Sequence, residues 1–234
     1  MPLEPGDNRR APLAKVLRVA TKPVSAVWPL PPVDEWGRAE RLVGAMIPLS
    51  HLRWDISVGG AHLLPAGGAL IIVNTRRFAL TPISTALALC EELDRPVRFA
   101  GRPDVVPVGP FLRRIGGLLA KPDEIGGALR AGELVVLGAQ ATSNPRHAGV
   151  VDHTLVAPAI REKVAVHIAA TMSTMISRQA RVEVGGSLRT GRTRRGPLAE
   201  IEMAEQAQRR LQDLLDEFGG TRTGLPGLGW LGEG

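Results

Sequence analysis

Five histidines, one cysteine and an excess of arginine are the side chains in this chain with chemistry to offer. His147, Asp152 and His153 lie near one another in a polar stretch that follows an apolar run. An imidazole placed there could act as a general base toward a hydroxyl, with the carboxylate orienting it. The competing reading is that both histidines are exposed loop residues. Arg76 and Arg77 directly follow another apolar run, where paired guanidinium groups could hold an anion or simply be solvated. His167 sits in an apolar strand pattern and reads as a core histidine, and His62 reads as a turn residue. Cys90 lies among Ala86, Leu87, Ala88 and Leu89 and reads as an inert buried hydrophobe rather than a nucleophile.

These groups need a scaffold, and 234 residues suffice for one substantial core. Hydrophobic residues make up 44% and charged residues 22%, which excludes global disorder. No run approaches the roughly 18 apolar residues of a membrane span. Aromatics are 3%, with no tyrosine, against an aromatic platform for nucleic acid. A single cysteine excludes a disulfide framework and a multi-cysteine zinc site, suits a cytoplasmic setting, and leaves no cofactor or metal called for. The N-terminus has an early acid and no long apolar core, unlike a secretory signal. The net charge is +6 and the sequence pI is near 10.6. Anionic partners are therefore favoured, although a genome that spells Arg for Lys gives the same numbers. The basic run Arg189-Thr-Gly-Arg-Thr-Arg-Arg195 lacks interleaved aromatics and reads as a solvated loop or membrane contact more readily than as a nucleic-acid site.

Residues 1–33 form a basic, proline-rich arm. Its Leu13–Val27 stretch is weakly amphipathic, which suits an anionic membrane surface; a loosely ordered arm is the alternative. A domain is expected over 34–218 and a glycine-rich tail over 219–234. Asp34 reads as an N-cap for a helix carrying Trp36, Ala39, Leu42, Val43 and Met46, ended by Pro48. Strands are expected over 53–58, 69–73, 97–100, 134–137, 164–170 and 180–184. Helices are expected over 82–93, 109–115, 123–130, 153–163 and 198–218, with Pro158 kinking the fourth and Gly219-Gly220 stopping the last. The last helix shows a stripe of Ile201, Ala204, Ala207, Leu211, Leu214, Leu215 and Phe218. This alternation predicts an α/β fold with a largely parallel central sheet flanked by helices. In such sheets functional groups lie beyond the strand C-termini, so the loops after Val73, Ala100 and Leu137 are the places to look.

The segment from Trp54 through Gly60-Ala-His-Leu-Leu-Pro65-Ala-Gly-Gly68 to Val73-Asn74 resembles the approach to the active site in the glycerol-phosphate/lysophospholipid acyltransferase family. Arg98-Phe-Ala-Gly-Arg102, Pro110-Phe-Leu-Arg-Arg-Ile-Gly-Gly-Leu118, Lys121-Pro-Asp-Glu124, Ala128–Leu137 and Arg181-Val-Glu-Val-Gly-Gly-Ser-Leu188 follow in family order. Asp34-Glu-Trp-Gly37 resembles a bacterial subgroup. The resemblance covers roughly residues 34–218 and implies an acyltransferase-like fold. In that family the His of an H-x-x-x-x-D motif deprotonates an acceptor hydroxyl, which attacks an acyl thioester, and the Asp orients the His. A later F-P-E-G motif, with an Arg before it, holds the phosphate-bearing acceptor.

This chain departs from both motifs. Thr75 stands at the His position and Leu80 at the Asp position. A threonine hydroxyl is no base near neutral pH, and leucine orients nothing. The second motif reads Gly138-Ala139-Gln140-Ala141, with Gln140 in place of Glu. Lys121 falls near the expected Arg and keeps the charge without the fork. His51-Leu-Arg-Trp-Asp55 has the wrong spacing to replace the lost pair. The resemblance thus implies an acyltransferase-like protein without the ancestral catalysis. Such a protein would bind acyl-CoA, a lysophospholipid or an active acyltransferase partner, on the cytoplasmic side or peripherally on the inner face of the plasma membrane. Arg76, Arg77, Lys121, Gln140 and Thr142 are its candidate binding residues. The alternative is an active, divergent acyltransferase using His147 or His153.

Overall fold

The computed structural model describes residues 32–53, 55–76, 80–144, 146–173, 179–188 and 196–220. The expected arm, the basic run at 189–195, Trp54, Arg77 and most of the expected tail lie outside the described residues.

The apolar runs become strands because their alternate residues are buried on opposite faces. In β2 (Ala69–Val73), Ala69, Ile71 and Val73 enter one core, while Leu70 and Ile72 enter the other. In β5 (Leu134–Gly138), Leu134 and Val136 pair with the first set, and Val135 and Leu137 with the second. A strand apolar at every position is one covered on both sides. The remaining strands are β1 (Asp55–Gly59), β3 (Val97–Ala100), β4 (Gly117–Leu118), β6 (Ala165–Ser173) and β7 (Gln179–Leu188). Their order across the sheet is β1-β7-β6-β2-β5-β3-β4, with every pair parallel except β6–β7. The two-residue strand β4 was not expected from the sequence.

Helices α1 (Glu40–Arg53) and α2 (Thr81–Leu93) cover the first face. Helices α4 (Pro122–Arg130), α5 (His153–Arg161) and α6 (Pro197–Gly220) cover the second. The short α3 (Val108–Arg114) leads into β4. The described residues from Val33 onward make one compact unit.

Three local expectations are corrected. Asp34 does not cap α1, which begins at Glu40. Its carboxylate instead accepts the backbone N–H of Trp36 and of Arg38 and the guanidinium of Arg98. Pro48 does not end α1, which continues to Arg53. Pro48 and Gly44, the residue four before it whose carbonyl loses its intrahelical donor, are both exposed, so water can satisfy that carbonyl. Helix α6 runs through Gly219 and Gly220. Its buried stripe contains Met203 and Ala199, while Ile201 is exposed, because Ile201 falls off the Ala199-Met203-Ala207-Leu211-Leu215 line. Pro158 lies within α5.

Candidate functional site

The C-terminal ends of β2, β3 and β5 lie at one edge of the sheet, and the loops that leave them are joined by hydrogen bonds. Ala139 N–H donates to Val73 O at 2.8 Å and Thr142 N–H to Thr75 O at 3.0 Å. Arg76 and Thr142 form a parallel bridge. The β2–β5 pairing therefore continues, with gaps, past both strand ends. The later part of the same loop is latched by Gln140 N–H donating to Val150 O at 2.8 Å. Gln212 of α6 clamps it from outside, accepting Ala148 N–H and donating to Arg146 O.

A recess of about 340 Å³ opens where these loops meet. Thr75, Leu80 and Ile83 line it from the β2–α2 side, Phe99 and Pro103 from the β3 side, and Leu155 from α5. Among the described residues no imidazole, carboxylate or cation lines it; threonine is its one polar side chain. The Thr75 hydroxyl is buried without a hydrogen-bond partner. It lies against Gly138, where a Cβ would come within 2.6 Å of Thr75 Oγ1 and 2.9 Å of Pro82 Cγ. Pro82, in the first turn of α2, costs no hydrogen bond there.

Asn74, the residue before Thr75, is buried and structural. Its Nδ2 donates to Thr171 O at 3.0 Å, and its Oδ1 accepts Thr171 N–H at 2.7 Å. Leu80 is exposed at the N-terminus of α2. Arg76 is half-buried beside Thr142. Gln140 is exposed, and its N–H is committed to Val150, so that donor is withheld from any ligand. The Thr142 hydroxyl lies 2.8 Å from Asn144 O and 3.2 Å from His147 O, and so serves its own turn. Lys121 is exposed just before α4, next to Ala120, which also lines the recess.

The two speculative bases are not brought together with an orienting acid. His147 is exposed in the clamped loop, and His153 is exposed in the first turn of α5. Asp152 caps α5, accepting Thr154 N–H at 2.9 Å and Thr154 Oγ1–H at 2.7 Å. A helix cap is the ordinary use of such an aspartate. Among the described residues an imidazole does meet a carboxylate elsewhere: His51 Nε2 lies 2.9 Å from Glu91 Oε2. Glu91 is ten residues along α2 from Thr81, about 15 Å by helix rise, toward the opposite end of the sheet. His167 is buried with Nδ1 3.1 Å from Gly185 O, as its place in β6 implied. Cys90 is half-buried rather than sealed, and Arg38 Nη2 donates to its sulfur at 3.3 Å.

Arg102 is a site neighbour that sequence reading missed. It follows β3 and is buried, with its guanidinium 3.5 Å from Asp104 and 3.8 Å from Glu124. The sequence shows only an arginine between glycine and proline after an apolar strand; nothing local shows that the chain folds over it.

No protein-family model and no curated protein matches this sequence. Among solved structures, the crystal structure of the 1-acyl-sn-glycerophosphate (LPA) acyltransferase PlsC from Thermotoga maritima matches with a TM-score of 0.57 and 12% identity. The match covers 79% of this chain and 84% of that one. No described helix is long and apolar enough to cross a membrane. The fold expected from the sequence is therefore the fold found: a mixed, mostly parallel seven-stranded sheet flanked by helices, resembling that of the PlsC acyltransferase.

Proposed function

We propose that this chain is a non-catalytic protein of acyltransferase-like fold whose recess holds the acyl chain of a thioester or lysophospholipid. The observation that carries the reading is the lining of the recess. Proton abstraction from an alcohol needs a base within hydrogen-bond reach of it. Here the position just past β2 holds a buried threonine hydroxyl packed on Gly138, and an exposed leucine lines the same recess. A recess of about 340 Å³ with one polar side chain among its described lining residues suits hydrocarbon, and its volume falls in the range of small-ligand sites. Cationic Arg76 and Lys121 are next in sequence to lining residues and would meet an anionic headgroup. Pairing with an active acyltransferase would give such a protein a role in lipid metabolism without turnover of its own.

The test combines binding and turnover. A medium-chain acyl-CoA is titrated against the full chain by calorimetry, and acyl transfer to lysophospholipid and glycerol-phosphate is assayed in parallel. Saturable binding without transfer is the expected result. Transfer that is abolished by His147→Ala or His153→Ala would replace this reading with a divergent enzyme.

A further inference from the structure

Arg38, Arg98 and Arg102 are the buried arginines among the described residues. A guanidinium keeps its charge, so each needs an anion to replace the water it has lost. Arg98 has Asp34 at 2.7 Å and Glu133 at 3.0 Å, and Arg102 has Asp104 at 3.5 Å and Glu124 at 3.8 Å. Arg38, 5% exposed, has no such acid: among the described residues its side chain makes one hydrogen bond and no ion pair. That bond runs from Nη2 to Cys90 Sγ at 3.3 Å, and the adjoining Nε is buried without a partner. Nε and Nη2 are the two donors of one guanidinium edge, the fork that grips an anion carrying two oxygens. One tine of this fork holds sulfur and the other holds nothing.

Cys90 lies toward the C-terminal end of α2 and is half-buried, so it keeps some access to solvent. It is the one cysteine of the chain. The acids that follow it, Glu91 and Glu92, are exposed, and Glu91 is paired with His51. Negative charge is therefore present near the cysteine but stays at the surface, leaving Arg38 unanswered.

We propose that Cys90 is a site of oxidation by hydrogen peroxide, and that its product, the sulfinate, is gripped by the Nε–Nη2 edge of Arg38. In the first step the thiolate sulfur attacks one oxygen of the peroxide. The O–O bond breaks, an S–O bond forms and hydroxide leaves, giving the sulfenic acid. No second cysteine is present to trap that species as a disulfide within the chain. A second peroxide then adds an oxygen to the sulfenate sulfur, its O–O bond breaks and water leaves, giving the sulfinate. Each step oxidises the sulfur by two electrons and reduces one peroxide to the level of water. The sulfinate carries a full negative charge on two oxygens, and they form beside the tine that has no partner and the one that holds the sulfur. Oxidation thus supplies Arg38 with the counter-ion that Arg98 and Arg102 already have. This chemistry is independent of what the recess holds.

The experiment treats the full chain with hydrogen peroxide, with free glutathione in the same solution as a reference thiol, and maps the peptides by mass. Two oxygens on Cys90, not removed by dithiothreitol, are the expected product. Thermal unfolding then reads the partner. In the reduced protein Arg38→Met is expected to leave the unfolding midpoint unchanged or to raise it, because an apolar side chain replaces a buried charge without a counter-ion. In the oxidised protein the same substitution is expected to lower the midpoint, because it strands the sulfinate. Cys90→Asp supplies an anion with two oxygens and no oxidant, which separates this effect from oxidation of methionine. It is expected to keep the midpoint of Cys90→Ser while Arg38 is present, and to lose several degrees when combined with Arg38→Met. Cys90 left unmodified while glutathione oxidises would overturn the proposal, as would oxidation that dithiothreitol fully reverses. A midpoint for Cys90→Asp that falls equally with and without Arg38 would remove Arg38 as the holder of the product.

Discussion

Asn74 and Thr171 exchange two hydrogen bonds at the end of the sheet, the Asn74 amide donating to one backbone group of Thr171 and accepting from the other. The side chain of the residue after β2 thereby extends the β2–β6 ladder by one rung, while Thr171 Oγ1 lies 2.9 Å from Thr85 Oγ1 on α2. Replacing Asn74 by Ala leaves a buried N–H and a buried C=O unpaired. Asn74→Ala is expected to cost about 2–4 kcal/mol in urea unfolding. A cost below that of an exposed surface change would show that water replaces the amide.

Arg98 is buried and joins Asp34 at 2.7 Å and Glu133 at 3.0 Å, with its guanidinium about 6.0 Å from the Trp36 ring centre. Partial burial opposes ionisation of Asp34, but Arg98 together with the N–H donors of Arg38 and Trp36 outweighs it and holds the carboxyl below its ordinary 3.8. A depressed folded pKa means the folded chain gives up this proton more readily than the unfolded chain. The stabilisation is therefore complete above the ordinary aspartate range and is lost as pH falls through the lower folded value. Asp34→Asn is expected to cost about 1–2 kcal/mol at neutral pH and to flatten the acid limb of the stability curve. Chemical denaturation from pH 7 down to pH 3 measures both.

Gly149 lies against the backbone of Gln140; a Cβ would sit 1.7 Å from Gln140 O. Gly149→Ala must therefore break the Gln140–Val150 latch or move the loop. Destabilisation of about 1–3 kcal/mol is expected, with faster hydrogen exchange confined to residues 139–152. Unchanged exchange there would show that the latch is not what orders the loop.

Thr75→His with Leu80→Asp puts a base and an acid at the two positions where the sequence resemblance would place them. Acyl transfer to glycerol-phosphate is expected to stay at background. Gln140 still stands uncharged after both changes. Adding Gln140→Glu is the step expected to bring measurable turnover. Full activity from the double variant would mean that the site architecture has been kept intact.

Pro48 interrupts α1 at an exposed position. Pro48→Ala restores a backbone donor toward Gly44 O and removes the ring clash, against a smaller loss from the freer unfolded chain. A net gain of about 2 kcal/mol is expected in thermal unfolding. A loss would mean that the proline sets a bend that α1 needs against α2.

The strands and helices were legible because burial writes itself into spacing. Ala69–Val73 and Leu134–Gly138 are apolar throughout, as strands covered on two faces must be, and the α6 stripe follows helical period. The loop after Val73, one of the places singled out from the strand order, does line the recess through Thr75 and Leu80. Asp34 and Pro48 misled because both are strong local helix signals, whereas Asp34 answers Arg98, 64 residues away, and Pro48 stands on the exposed side of α1, where the carbonyl it leaves without a donor can meet water. What only the tertiary structure decided is which groups meet. Asp152 is taken by a helix cap, Arg102 is folded under its own loop, and His51 finds Glu91 toward the end of the sheet opposite the recess. Spacing records the period of an element, but the partners of a polar side chain are set by crossovers that join distant parts of the chain, and no local pattern encodes them.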